Sequence, residues 1–144
     1  MQPREWGELV HEMFSKIRHL DEADAVLLPY LNEGIIDLVT AGALKDKFLQ
    51  MTQHPMISEA FSPAAKVKTE CEILYQGKVC RLDRYAELPQ AVYLLDYKTG
   101  KKEDEHRKQV QTYAQALMEM TDKEIRACLV YLTEDSIVVE SVSC

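Results

Sequence analysis

The chain has 144 residues, 47% of them hydrophobic and 28% charged, and a formal net charge of −7. It is long enough for one domain with its own core, and too apolar and too poor in Gly and Pro for a disordered segment. No apolar run approaches the roughly 20 residues of a membrane helix, no cationic start followed by an apolar stretch marks a signal peptide, and the excess of acid argues against a passive nucleic-acid binder held by bulk charge.

Trp6, Leu9, Val10, Met13, Phe14 and Ile17 recur at helical spacing, which predicts an amphipathic helix over 5–19. Asp21 is the expected cap of a second helix running to about Leu31, with Pro29 limiting or bending its end. Leu44, Phe48, Leu49 and Met51 predict a third helix over 41–53, broken by His54-Pro55 and followed by a short helix to Phe61. The second half changes period. Residues 67–75, 78–86 and 92–98 read as strands, with Gln76-Gly77 as a hairpin turn and 87–90 as a loop. A long helix is expected over 105–120, then strands over 126–132 and 136–142 joined by a hairpin at Thr133-Glu134-Asp135. Helices first, then a meander, a helix and two strands make an α/β or α+β sandwich of one domain, 1–144.

The four cysteines, Cys71, Cys80, Cys128 and Cys144, show no CxxC spacing and read as reduced thiols in a cytosolic protein, Cys71 and Cys128 in the core. Charge is uneven along the chain. Only residues 66–108 carry more basic than acidic side chains, and Arg84, Lys101, Lys102, Arg107 and Lys108 are the cations expected to meet phosphates.

The most informative segment is Asp96-Tyr97-Lys98, at the end of the apolar run Val92-Tyr93-Leu94-Leu95. Strand alternation puts Asp96 and Lys98 on one side. On the preceding strand the same alternation groups Val79, Arg81 and Asp83 on one face and Cys80, Leu82 and Arg84 on the other. Pairing of the two strands brings Asp83 beside Asp96. Two carboxylates suit a hard cation such as Mg²⁺, which takes oxygen ligands and keeps several waters. The carbonyl of Tyr97 is a further candidate oxygen. Lys98 is placed to act on an attacking water or on phosphate charge. Glu70 and Glu72, on the adjacent strand, are candidates to complete the shell or to bind a second metal.

Glu70, the Gly77…Arg81-Leu82-Asp83-Arg84 segment, Asp96-Tyr97-Lys98-Thr99-Gly100 and Gln109-x-x-x-Tyr113 together resemble the PD-(D/E)XK nucleases of the RecB/AddA type. Trp6-Gly7-Glu8-Leu9-Val10-His11-Glu12 is similar to that family's opening helix, whose His is a metal ligand. The resemblance covers nearly the whole chain. It implies a restriction-endonuclease-like sandwich with a central mixed sheet of about five strands and a helical N-terminal half. It implies that His11, Asp83, Asp96 and Tyr97 hold Mg²⁺, with Mn²⁺ able to substitute. Lys98 would be the catalytic lysine, Glu70 would assist, and Gln109 and Tyr113 would border the site.

A Gly-x-Val-Asp register would instead put Cys80 at the metal position and break the site. The iron–sulfur cluster of some relatives is not expected, because their C-terminal cysteine group is reduced to Cys144. The implied activity is DNA phosphodiester hydrolysis with 5′-phosphate products. The implied setting is a bacterial cytoplasmic helicase–nuclease polypeptide that feeds single strands to this domain in double-strand-break repair, with no membrane involved. The alternative is a catalytically silent nuclease fold that binds DNA or braces a helicase.

Overall fold

The computed structural model describes residues 3–133 and 135–143, so Glu134 of the expected last hairpin and Cys144 lie outside the described residues. Helices α1 (Pro3–Lys16), α2 (Ala23–Asn32) and α3 (Leu38–Thr52) come first, with short 3₁₀ turns at Leu20–Glu22 and Ser58–Phe61. Strands β1 (Lys66–Tyr75), β2 (Lys78–Glu87) and β3 (Ala91–Lys98) follow, then α4 (Asp104–Met118), β4 (Glu124–Leu132) and β5 (Ile137–Val142). The strands form one mixed sheet in the order β1-β2-β3-β4-β5, with β3 and β4 parallel and the other pairs antiparallel. A parallel pair needs a crossover, and α4 supplies it.

Each face of the sheet is covered. Val10, Met13, Phe14, Leu44, Phe48 and Met51 from α1 and α3 pack on Tyr93, Leu95, Tyr97, Val130 and Leu132. Val110, Ala114 and Leu117 of α4 pack on Val92, Leu94, Ala127, Leu129 and Tyr131 from the opposite side. Residues 91–97 are therefore all buried, as a central strand between two helical layers must be. Tyr97 meets the edge of Phe14 at 6.3 Å between ring centres, and Phe14 meets Phe48 at 5.3 Å.

Several local features differ from expectation. The first helix ends at Lys16, yet Ile17, just beyond it, stays buried. Asp21 caps nothing; it lies inside the Leu20–Glu22 turn, which Glu22 closes by accepting from the His19 amide at 3.2 Å. The third helix starts earlier, at Leu38, because Asp37 accepts from the Thr40 amide at 2.7 Å and caps it. Gln76 and Gly77 have φ of 51° and 76°, the two positive values that a tight hairpin of this twist requires.

The largest correction concerns Arg84. It was expected to face phosphates and to share a face with Leu82. Instead it is fully buried on the side of α1, while Leu82 packs against α4. Two residues one strand period apart thus point to opposite faces. The alternation inverts at Asp83, opposite Glu70, whose φ of 50° takes the backbone through the left-handed region. The Arg84 guanidinium donates to the carbonyls of Ile17 at 3.1 Å, Arg18 at 2.6 Å and Ala60 at 3.1 Å, and stacks over Phe61 at 4.1 Å. It ties the end of α1 and the Ser58–Phe61 turn to the sheet. Replacing it leaves the carbonyls of Ile17 and Ala60 buried without this donor, where each loss is costly. Arg84→Met should lower unfolding stability by about 3 kcal/mol in urea titration, and Arg84→Lys should recover only part, because an ammonium lacks the planar fork. An unchanged urea midpoint in Arg84→Met would show that the guanidinium is not the tie.

Candidate active site

The site forms where two strands part. β2 and β3 pair from Arg84↔Leu95 to Glu87↔Val92, and beyond Arg84 the β2 ladder continues only with β1. β3 meanwhile continues beside β4 as far as Lys98↔Tyr131. One step past Arg84↔Leu95 the register sets Asp83 opposite Asp96, at the mouth of the fork. The Tyr97 amide is left without a strand partner on that side, and it donates to Asp83 Oδ2 at 2.8 Å. A carboxylate thus takes the place of a ladder carbonyl.

α1 approaches this fork closely because of Gly7. A Cβ there would come within 2.6 Å of Thr99 Oγ1, immediately after β3. One turn further along, His11 Nε2 lies 3.1 Å from Asp83 Oδ2. On the other side, Lys98 Nζ donates to Gln109 Oε1 of α4 at 2.8 Å and lies 3.2 Å from Asp96 Oδ2. The Lys98–Asp96 contact is an ion pair by distance but is poorly aligned as a hydrogen bond, and Asp96 Oδ2 is a buried oxygen with no hydrogen-bond donor.

These groups surround an open cleft of about 320 Å³. His11, Asp83, Asp96, Lys98, Gln109 and Tyr113 all line it, and so does Glu70. Glu70, however, is engaged by Arg81 Nη2 at 3.1 Å. Tyr97 contributes its backbone at the fork while its ring is in the core. Glu72 is exposed and does not line the cleft. Cys80 is three residues from the fork, buried and paired in register with Ile73, so it is Asp83 that stands beside Asp96. Arg81 and Glu12 also line the cleft, and sequence reasoning assigned them no role. The alternation that groups Arg81 with Asp83 carried that signal for one of them. Lys102 and Arg107 pair with Glu140 on β5, and Lys108 with Glu105.

The electrostatics follow from burial. Asp83 and Asp96 have 5% and 4% of their surface exposed. Burial pushes Asp96 up, the neighbouring Asp83 charge pushes it further, and its pKa reaches about 7 even though Lys98 opposes the shift. Burial also acts on Asp83, but the hydrogen bonds from His11, Asp96 and the Tyr97 amide outweigh it and hold Asp83 below the usual carboxylate range. The hydrogen bond to Asp83 in turn raises His11 against its own burial. The two acids titrate as a pair, and burial with mutual repulsion resists their full ionisation near neutrality.

This donor set fits a small hard cation. No group of three or more His, Cys, Asp or Glu among the described residues forms a ready-made cage. A cage is not what Mg²⁺ uses; one or two carboxylates with retained waters are its usual set. Asp96 Oδ2 is buried without a hydrogen-bond donor, the Lys98 ammonium lying 3.2 Å away, and so has lone pairs to offer a cation.

A scan against protein families matches the PD-(D/E)XK nuclease superfamily over residues 1–142. The chain belongs to that superfamily. Its five-stranded mixed sheet between helices is the restriction-endonuclease-like sandwich that membership entails. Among solved structures, the crystal structure of SSO0001 is similar at 15% identity and a TM-score of 0.42, with 93% of this chain covered. The chain spans 65% of that protein's length. Among curated proteins none matches it.

Without metal, the acid pair should cost stability in a pH-dependent way. Asp96 binds its proton more tightly in the folded chain, with a pKa of about 7 against 3.8 for the free side chain. The folded state then holds the extra proton across that window, so stability falls as pH rises through it and the penalty is fully developed above pH 7. Asp96→Asn removes the penalty. In chelator, thermal melts should show the variant gaining on the native chain as pH rises from about 4 to 8, reaching an advantage of a few kcal/mol. A pH-independent difference would mean that Asp96 is not held protonated.

Proposed function

We propose that this chain is a divalent-metal-dependent deoxyribonuclease, the exonuclease module of a RecB/AddA-like helicase–nuclease acting in recombination and double-strand-break repair. The observation that carries the reading is the fork itself. Two buried carboxylates of adjacent strands face one another in an open cleft, with a lysine ammonium 3.2 Å from one of them. A silent scaffold has no use for a buried like-charge pair, which destabilises the fold that holds it.

Asp83 and Asp96 are the residues that would hold Mg²⁺ or Mn²⁺, with His11 and the Tyr97 backbone beside them. A cation held there would supply Lewis-acid charge at the scissile phosphate and lower the pKa of water toward neutrality. Every other part of the work falls to the chain. The Tyr97 amide and His11 fix the orientation of Asp83. Gln109 holds the Lys98 ammonium at the cleft, where it can donate to a phosphate oxygen as negative charge builds there. Tyr113, on the same helix face as Gln109, closes the wall of the cleft. Hydrolysis breaks the bond from phosphorus to the leaving 3′-oxygen and leaves the phosphate on the 5′-side of the next nucleotide.

Support for the RecB/AddA-type reading within the superfamily is that His11, Gln109 and Tyr113 line the same cleft as the acids and the lysine. An acidic chain fits a module that borrows DNA affinity from a larger polypeptide working on cytoplasmic DNA.

Lys98→Ala should reduce Mg²⁺-dependent cleavage of a labelled oligonucleotide by roughly 10²–10³-fold or more, the scale for losing one donor to transition-state charge. Its circular dichroism should stay native-like, so that the loss is one of chemistry and not of fold. Lys98→Ala with native-like turnover would defeat the assignment. Ca²⁺ should bind and fail to support turnover, because it takes more ligands at longer distances and leaves its water less acidic. Robust cleavage in Ca²⁺ would contradict metal-activated water.

A further inference from the structure

A second cleft adjoins the first and differs from it in charge. It has a volume of about 440 Å³ and lies between the β1–β2 hairpin and α4. Gln109 and Tyr113 line both clefts, so the two share a wall. The first cleft is lined by Glu12, Glu70, Asp83 and Asp96. Among the described residues lining the second there is no Asp or Glu, in a chain that has 24 of them. Its walls present instead Tyr75, Lys78, Thr112 and Gln115: an aromatic ring, an ammonium, a hydroxyl and an amide.

Sequence explains the placement. Tyr75 and Lys78 are cross-strand partners flanking the tight Gln76-Gly77 turn. Cross-strand partners share a face, so the ring and the ammonium arrive together. The hairpin tip lies beyond the point where β2 leaves β3, and the cleft forms between it and α4. Thr112 follows Gln109 at i+3 and Gln115 follows Thr112 at i+3, which aligns the polar groups along one side of α4.

We infer that this acid-free cleft is the subsite for a single DNA strand on one side of the scissile phosphate. Tyr75 is a stacking platform for an unpaired base, and Lys78 is a contact to a backbone phosphate. The inference rests on the nuclease reading for the neighbouring cleft and adds the path of the strand and the two side chains that hold it. A polyanion entering an acidic protein follows the path without carboxylates, and stacking plus a cation is how single strands are held without sequence preference. A paired base has no free face at this position, so the subsite selects single strands over duplex.

The test has two separable arms. Affinity is measured for a fluorescent oligothymidylate in Ca²⁺, over a salt series, for the native chain, Tyr75→Ala, Tyr75→Phe and Lys78→Gln. Tyr75→Ala should weaken binding about 10-fold, and Tyr75→Phe, which keeps the ring, should restore it. Lys78→Gln should weaken binding and reduce the slope of log affinity against log salt by about 0.7. A hairpin duplex without single-stranded ends should bind more weakly than the oligothymidylate. Native-like affinity and slope in Tyr75→Ala and Lys78→Gln would overturn the inference, as would duplex binding as tight as single-strand binding. Separately, the native chain alone is assayed with Mn²⁺ on the 4-nitrophenyl ester of thymidine 5′-phosphate, which is too small to need the second cleft. Turnover of that ester with native-like binding in the variants sinks the subsite and leaves the chemistry standing. Absence of ester turnover with weakened binding in the variants sinks the chemistry and leaves the cleft standing as a single-strand binding site.

Discussion

Two carboxylates are buried side by side, and the rest of the site is arranged around that repulsion. Asp83 and Asp96 come together because β2 and β3 stay paired up to Arg84 and Leu95 and then separate. Separation frees the Tyr97 amide on β3, which holds one of the acids at the fork. Close to neutrality only one of the two is comfortably ionised, since burial and the Asp83 charge push Asp96 up to about 7. Lys98 offsets part of the repulsion from one side and His11 part from the other. A site that destabilises its own empty state gains correspondingly from a cation.

Holding such a pair requires a scaffold that does not relax. Arg84 follows Asp83 directly and is anchored to three carbonyls on the α1 side of the sheet. The acid at the fork and the tie to the helical layer are thus consecutive residues. Gly7 brings α1 against Thr99 from the same side, which puts His11 within reach of Asp83. On the opposite face, α4 presents Gln109 to Lys98 while Val110, Ala114 and Leu117 fix its height over the sheet.

Much of this was legible in the sequence, because it depended on period and register. The apolar run from Val92 to Leu95 marked a central strand, Gln76-Gly77 marked the hairpin, and the step from Asp83 to Asp96 placed both acids at one level. What escaped was wherever a local rule yields to tertiary context. Strict alternation put Arg84 with Leu82, and nothing in the strand announces the inversion opposite Glu70. A lysine- and arginine-rich stretch reads as phosphate-facing until β5 brings Glu140 to Lys102 and Arg107. Asp21 has the look of a helix cap, but Glu22 sits where the turn closes. The Asp37 cap was readable in principle, since an Asp three residues before Thr40 at the start of an apolar helix is an N-terminal signature. The polar face of α4 opposite the hairpin could not be assigned to a cleft before the hairpin was known to project over it.

The central claim is that the fork between β2 and β3 binds a divalent cation through both of its acids. Calorimetric titration of Mn²⁺ into the metal-free chain at pH 7.5 tests this most directly, with Asp83→Asn, Asp96→Asn and Cys80→Ser run alongside. Native protein and Cys80→Ser should bind alike, and each Asp→Asn variant should bind at least 10-fold more weakly. Their melts in chelator confirm that both variants are folded. Mn²⁺ affinity unchanged by either Asp→Asn substitution, or lost in Cys80→Ser, would contradict the account.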